Sequence, residues 1–177
     1  MTDQQRINDA LRSAAFIYSF DFMIEHEGGT NFHIYDRGGL TKFGICQKQY
    51  PNLDIANLTL DEACRIYAHD YWNKNQCYRF ERPVGMAMFD SGVNCGQMSG
   101  AIWLQKALNA MGAGLVVDGL IGQKTVYAST GRNSYAIAAK LMAHRLKRYY
   151  RLTGNHPEQI TFIRGWINRV ANLQLAL

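Results

Sequence analysis

The sequence predicts an all-α protein. Hydrophobic residues make up 47% of its 177 positions, which is enough to form a buried core. Proline, which interrupts helices, occurs only three times. Apolar residues recur mostly at every third or fourth position, the period of a helix, while the alternation typical of strands is scarce. The length fits one compact domain or two small domains that pack closely.

The first predicted helix covers residues 9–27 and leads into a glycine-rich loop. Its apolar face follows a helical spacing through Leu11, Ala14, Tyr18 and Phe22. We expect Gly28 and Gly29 to end it, because glycine readily adopts the left-handed conformation that follows many helices. In the loop after this helix we expect at most a small β-hairpin, around residues 36–39.

Six further helices are predicted from capping residues and apolar spacing. Thr59 and Glu62 have the spacing of a capping box, which opens a helix that runs to residue 72. Pro83 suits the first turn of the next helix, and Ser99 is the expected N-cap of the one after. The remaining predicted segments are 124–129, 134–152 and the stretch that Pro157 begins. We place the one candidate domain boundary at residues 96–100, which gives halves 1–95 and 96–177 packed as one compact unit.

The charge and the apolar pattern limit the classes of partner. A net charge of +5 fits either a solvated basic surface or attraction to an anionic polymer such as cell wall or nucleic acid. The basic residues at 144–151 spread around a helix, which favours a surface helix and no nucleic-acid partner. The N-terminus has no signal-peptide pattern, and the apolar run 14–24 is too short to span a membrane. We therefore expect cytoplasmic synthesis.

The spacing of the cysteines does not indicate a metal site. Four occur, with no CxxC pair and no histidine at zinc-ligand spacing: Cys46, Cys64, Cys77 and Cys95. We interpret them as free thiols, although two disulfides stay open as an alternative. No metal and no cofactor are expected, because carboxylates alone can carry the proton transfers considered next.

The stretch EGGTNFHIYDRGGLTKFGI at residues 27–45 holds the candidate catalytic groups. Glu27 ends an apolar helix, where removal from water and the negative end of the helix dipole both favour its protonated form. Asp36, in a polar loop, is expected to stay ionised, and Thr41 to hold a water molecule. A carboxylic acid with a raised pKa, close to a carboxylate that stays ionised, suits the hydrolysis of a glycosidic bond. The alternative is an exposed glutamate at a helix end.

This stretch resembles glycoside hydrolase family 108, the lysozyme-like N-acetylmuramidases found largely in phages, prophages and bacteria. EGG, then Asp36, then GGLTKFGI follow the family's pattern at the same offsets. Further segments resemble the family in the same order, namely YAHDYW, FDSGVNCG, WLQ, VDGLIGQKT and FIRGWINRV, so the resemblance covers roughly residues 10–172. It implies a lysozyme-like fold, Glu27 as the proton donor, and, by analogy with the wider superfamily, Asp36 and Thr41 as its partners.

The resemblance extends to binding of the substrate. Residues 104–125 resemble a peptidoglycan-binding repeat, although a tight turn at Asp118 and Gly119 with ordinary packing is an equal alternative. Four more residues are candidate substrate contacts. Tyr71 and Trp72 would stack on sugars or else belong to the core. Asp90 and Asn94, which lie four apart on one helical face, would bond an N-acetyl group or else be surface polar residues.

The resemblance implies an endolysin-type muramidase that hydrolyses the β-1,4 bond between N-acetylmuramic acid and N-acetylglucosamine. Such a protein would be a monomer that acts on peptidoglycan in the periplasm after passage through a holin or another export route. Two alternatives remain open. A lytic transglycosylase needs only one glutamate and uses the muramyl 6-hydroxyl in place of water, whereas a non-catalytic peptidoglycan-binding protein needs no acid at all.

Overall fold

The computed structural model describes residues 1–26 and 40–177, and within them the chain is mostly helical. Eight α-helices and one two-stranded antiparallel sheet are present in these residues. The helices are α1 (Asp3–Arg12), α2 (Ala14–His26), α3 (Leu60–Tyr67), α4 (Arg82–Cys95), α5 (Gln97–Asn109), α6 (Gln123–Ser129), α7 (Ser134–Asn155) and α8 (Ile160–Ala176). The strands are β1 (Thr41–Lys42) and β2 (Ile45–Cys46). The predicted all-α class, with at most a small hairpin after the first helix, is confirmed. The hairpin turns at Phe43 and Gly44, whereas residues 36–39, where the sequence analysis places it, lie outside the described residues.

The chain forms two compact units, residues 1–73 and 74–177. The first unit holds α1 to α3 and the hairpin, followed by a π-helical segment at Ala68–Asn73. The second holds α4 to α8 and two short 3₁₀ turns, at Cys77–Arg79 and Pro157–Gln159. In the described parts of the chain, every helix is too short or too polar to cross a membrane.

The prediction of one helix over residues 9–27 is wrong, because two helices cover this region. Ser13 has an extended conformation, with a ψ of 117°, and its backbone N–H donates to Ala10 to end α1. Its hydroxyl then accepts from the N–H of Phe16 at 3.4 Å and so caps α2. The apolar period continues through the break, which explains why the sequence pattern reads as one helix. The end predicted at Gly28 and Gly29 lies outside the described residues.

The capping box predicted at Thr59 is confirmed. The Thr59 hydroxyl accepts from the N–H of Glu62, and the Glu62 carboxylate accepts from the Thr59 N–H at 2.8 Å. The helix then widens into the π-helical segment, which ends at Asn73. A π-helix makes its backbone bonds one residue farther along the chain, which turns the following side chains to new directions.

In the second unit, α4, α5 and α7 pack around the core. Val84, Met88 and Phe89 of α4 are buried, as predicted for the last two. Gly100 allows α5 to pass close to α4, because a Cβ there would overlap the Met88 carbonyl. The predicted N-cap of α5, Ser99, is wrong. Gly96, with a φ of +98°, is the N-cap, and the Ser99 hydroxyl instead donates to the Cys95 carbonyl at 2.7 Å.

Candidate functional site

Thr41 lies on a tightly connected hairpin. It pairs with Cys46 across the two strands, and only Phe43 and Gly44 form the turn. Both turn residues are left-handed, with φ of +52° and +76°. Such values match the twist of a two-residue hairpin but cost a bulky L-residue backbone energy. Burial of the Phe43 side chain offsets that cost.

Hydrogen bonds tie this hairpin to the rest of the first unit. The Tyr67 hydroxyl donates to the Phe43 carbonyl at 3.0 Å, and the Lys42 ammonium donates to the Ala56 carbonyl at 3.1 Å. The Gln47 amide lies within 3.1 Å of three carbonyls in the segment that follows. The backbone that carries Thr41 is therefore fixed by contacts on both sides.

The other two candidate catalytic residues, Glu27 and Asp36, lie outside the described residues. The helix that leads to Glu27 is anchored by aromatic contacts. Phe16 meets Trp72 edge to face with ring centres 5.5 Å apart, and Phe20 contacts Tyr67 at 5.8 Å. At the end of α2, the His26 ring stacks on Phe22 at 4.1 Å, and its Nδ1 lies 2.8 Å from the Phe22 carbonyl.

The predicted sugar-stacking residues lie in the core. Trp72 is 1% exposed and Tyr71 is 7% exposed, so neither ring offers an open face to a sugar. The Tyr71 hydroxyl accepts a hydrogen bond from the Gln49 amide at 2.8 Å. Of the two interpretations of these aromatics, the structure supports core packing.

A polar cluster that the sequence did not reveal surrounds the π-helical segment. The Tyr50 hydroxyl donates to one oxygen of the Asp70 carboxylate at 2.7 Å, and His69 Nδ1 lies 2.9 Å from the other. Burial, and next the hydrogen bond to Asp70, raise the pKa of Tyr50. Tyr50 therefore stays a neutral donor, and the carboxylate holds the segment after the hairpin against the first unit's helices. No spacing rule connects Tyr50 with Asp70, which lie twenty positions apart.

Asp90 is a buried ion-pair partner, which neither sequence interpretation anticipated. Its carboxylate lies between two guanidinium groups, with Arg145 Nη1 at 2.5 Å and Arg169 Nη2 at 2.6 Å. Burial alone would raise the pKa of Asp90, but the charges of Arg169 and Arg145 outweigh it and lower the pKa. The carboxylate thus joins α4, α7 and α8, and it is closed to direct contact with a sugar.

Asn94 lies one helical turn after Asp90 and is half-buried. Its side-chain oxygen accepts from the Tyr149 hydroxyl at 2.6 Å, and that hydroxyl accepts from Arg145 Nε at 2.6 Å. A chain of hydrogen bonds therefore runs from the buried ion pair to the Asn94 amide. Its nitrogen donates to none of the residues that the structure describes.

In the second unit, a loop at residues 113–122 is held against α5 by two amide side chains. Gln105 donates to the Asp118 carboxylate at 2.7 Å and accepts from the Gly119 N–H at 2.8 Å. Asn109 bonds both backbone groups of Leu115, at 2.6 and 2.7 Å. Gln105 and Asn109 are four residues apart, so they project from the same face of α5. The turn predicted at Asp118 and Gly119 is present, with a φ of +77° at Gly119.

The described residues contain no group of three or more His, Cys, Asp or Glu side chains suited to a metal ion. All four cysteines are free thiols in this structure, as the sequence predicted. Burial raises the pKa of Cys77 and Cys64, the latter to about 11, so these two thiols stay protonated at neutral pH.

Two family models match successive segments of the chain. Residues 20–96 match the family model described as Glycosyl hydrolase 108. Residues 99–171 match a second model, described as Predicted Peptidoglycan domain. The resemblance found in the sequence is confirmed for both segments, and the chain is a glycoside hydrolase that acts on peptidoglycan.

The chain is also similar to a solved structure, described as the structure of Brucella abortus SagA. The two share 27% sequence identity with a TM-score of 0.72, over 90% of this chain and 91% of that one. No curated protein matches the chain. The glycosyl hydrolase 108 segment includes Glu27, Asp36 and Thr41, whereas the loop at residues 113–122 belongs to the peptidoglycan segment.

Proposed function

We propose that the protein is an endolysin-type N-acetylmuramidase, which hydrolyses the β-1,4 bond between N-acetylmuramic acid and N-acetylglucosamine. The observation that carries this proposal is the glycosyl hydrolase 108 match over residues 20–96, which includes all three candidate catalytic residues. The peptidoglycan segment at 99–171 supports the same substrate. In this proposal, the halves 1–95 and 96–177 carry catalysis and wall binding respectively.

In the proposed mechanism, Glu27 donates a proton to the glycosidic oxygen as the bond to the leaving sugar breaks. A water molecule, held by Asp36 and Thr41, attacks the anomeric carbon from the opposite face and gives its proton to Asp36. This reaction inverts the configuration, which calls for carboxyl groups about 6.5 to 9.5 Å apart so that the water fits between them. A retained anomer in a single-turnover assay would exclude this route.

Two structural observations support these roles. The helix before Glu27 is fixed by Phe16 and Phe20 against other rings, so the chain enters the catalytic loop from a rigid element. The hairpin that carries Thr41 is fixed by the Tyr67 and Lys42 hydrogen bonds. Catalytic groups need such support, because displacements near 1 Å cost large factors in rate.

We retain Asn94 as a candidate contact for an N-acetyl group, because its amide nitrogen stays available for donation. Tyr71, Trp72 and Asp90 are not direct contacts in this proposal, since all three are buried. Arg145 and Tyr149 would instead hold the orientation of the Asn94 amide.

The deciding experiment is mass spectrometry of purified peptidoglycan after digestion by the wild type and by Glu27→Gln. Hydrolysis at the muramyl bond predicts reducing N-acetylmuramic acid ends from the wild type and almost none from the variant. Anhydro ends at position 1,6 would identify a lytic transglycosylase instead. A protein that binds the wall but releases no fragments would be a non-catalytic binder. The endolysin role requires, in addition, that expression together with a holin lyses cells and that Glu27→Gln abolishes the lysis.

A further inference from the structure

The loop at residues 113–122 and helix α6 form one side of a groove on the second unit. We call it the α5–α6 groove, and its volume is about 380 Å³. The side chains that carry the argument are Gln105, Val116, Asp118, Leu120, Lys124 and Thr125. The whole groove lies within the segment that matches the peptidoglycan model.

The groove exposes apolar side chains on a rigid backbone. Val116 is 77% exposed and Leu120 is 67% exposed, so neither side chain is part of the buried core. Their loop is nevertheless held by the Gln105 and Asn109 hydrogen bonds at both of its ends. A loop that is fixed in this way loses little conformational entropy when it binds a partner. Fixed, exposed aliphatic side chains beside a concave surface are typical of a binding site.

Polar groups that could make further hydrogen bonds line the same groove. Thr125 is only 3% exposed, and its hydroxyl makes no side-chain hydrogen bond within the part of the chain that the structure describes. The backbone N–H of Val116 likewise has no partner among the described residues. A peptide that lies along this segment would satisfy such groups by backbone pairing.

The charges at the groove have both signs. Lys124 lies on α6, and Asp118 lies at the turn of the loop. The backbone N–H of Leu120 and then the Gln105 amide lower the pKa of Asp118, so its carboxylate is ionised at neutral pH. A partner that fits these charges carries both an anionic and a cationic group. The sugars of the glycan strand are largely uncharged, and none of the described residues that line the groove has an aromatic ring on which a sugar could stack.

We propose that the α5–α6 groove binds the stem peptide of peptidoglycan rather than its glycan strand. The alanine methyl group fits the aliphatic wall at Val116 and Leu120. A stem-peptide carboxylate would pair with Lys124, and the free amine of the third residue would pair with Asp118. This proposal rests on peptidoglycan as the substrate. The second unit would recognise the stem peptide, whereas the catalytic residues would cleave the glycan strand.

The test is a titration of the full-length chain with two soluble tripeptides, L-alanyl-γ-D-glutamyl-L-lysine and its meso-diaminopimelate counterpart, followed by amide NMR shifts. A chitin tetrasaccharide serves as the glycan probe. We expect at least one tripeptide to shift the amides of residues 115–120. Lys124→Gln is expected to weaken binding about tenfold, as for the loss of one charge-assisted hydrogen bond. The double variant Val116→Ser with Leu120→Ser is expected to weaken it similarly.

Matched controls separate the groove from its surroundings. Val117→Ser lies on the same loop but does not line the groove, and Lys140→Gln removes an exposed lysine on α7. Both are expected to bind the tripeptide as the wild type does. All substituted side chains are exposed, so unchanged melting curves check that the variants fold.

Three results would overturn the proposal: no tripeptide binding, equal binding by wild type and the Lys124→Gln variant, or a response of the groove amides to the chitin tetrasaccharide alone. The proposed function fails separately, if digestion by the wild type releases no muramyl fragments. The tripeptide titration does not depend on catalysis, so either proposal can fail while the other stands.

Discussion

Replacing Asp90 by Asn is expected to destabilise the second unit strongly. The carboxylate accepts hydrogen bonds from Nη1 of Arg145 and from both Nε and Nη2 of Arg169, and all three side chains are buried. The amide that replaces it keeps the shape but removes the negative charge of the carboxylate from between the two guanidinium groups. Breaking a buried ion pair by removing one partner costs about 3–5 kcal/mol.

The loss of stability can be measured by urea unfolding, with far-UV circular dichroism as the signal. For a chain of this size, each kcal/mol shifts Tm by about 2–4 °C, so a fall of about 10 °C in Tm is also expected. The matched control is Asp61→Asn. Asp61 pairs with Arg65 at 2.8 Å, but both side chains are exposed and water screens the pair, so this substitution should change the stability far less.

The stability of the wild type should depend on pH in a defined way. The pKa of Asp90 is lowered from its ordinary value near 3.8, so the folded state holds fewer protons than the unfolded state around that pH. The stabilisation is fully present above the ordinary value and is lost as pH falls through the lowered one. The free-energy difference between wild type and Asp90→Asn should therefore be constant from neutral pH to about pH 5 and should shrink below about pH 4.

A loss below about 1 kcal/mol for Asp90→Asn, or one equal to that of Asp61→Asn, would refute this reasoning. The reasoning would also be refuted if the difference in unfolding free energy between wild type and Asp90→Asn stayed constant down to the pH at which acid unfolds the protein. Either result would mean that the two guanidinium groups are solvated or paired in another way.

Three further predictions follow from local contacts. Gly100→Ala should lower the free energy of unfolding by about 1–3 kcal/mol in urea titrations, because its methyl group meets the Met88 carbonyl. Gly165→Ala, where a methyl group meets nothing within 4 Å, should be neutral or stabilising, and equal losses for both would contradict the packing argument. Tyr50→Phe should cost about 1 kcal/mol through the lost hydrogen bond to the π-helical segment, and an unchanged urea midpoint would exclude that bond. Thr41→Val should reduce muramyl-fragment release about a hundredfold, whereas Thr41→Ser should keep most of the activity; equal rates for both would remove the hydroxyl from the mechanism.

The sequence predicted best the features that depend on neighbouring residues. The capping box at Thr59 and Glu62 needs only two polar side chains three positions apart, and the structure contains it as predicted. The helix over residues 9–27 shows the limit of this approach. Periodicity reports which side of the chain is apolar, and that side continues through Ser13, where the backbone changes direction.

Long-range polar contacts account for what the sequence did not predict. Asp90 and Asn94 share one helical face, which the sequence predicts to be either a contact for an N-acetyl group or an ordinary polar surface. Asp90 is bound by Arg145 and Arg169, and Asn94 by Tyr149, and all three partners lie more than fifty residues later in the chain. Without those partners, a charged residue in a helix is ordinarily assigned to the surface, because burial of an unpaired charge is so costly. Only the tertiary structure shows that two guanidinium groups meet the carboxylate.

The amide clamp at Gln105 and Asn109 makes the groove a natural place to redirect binding specificity. Both clamp residues act mainly on main-chain atoms of the loop, so the loop keeps its path whatever side chains it carries at Val116 and Leu120. Variation at these two outward positions can change what is recognised without disturbing how the loop folds. Insertions or deletions would shift the clamped atoms out of register, so engineering libraries should diversify residue identity and leave loop length unchanged.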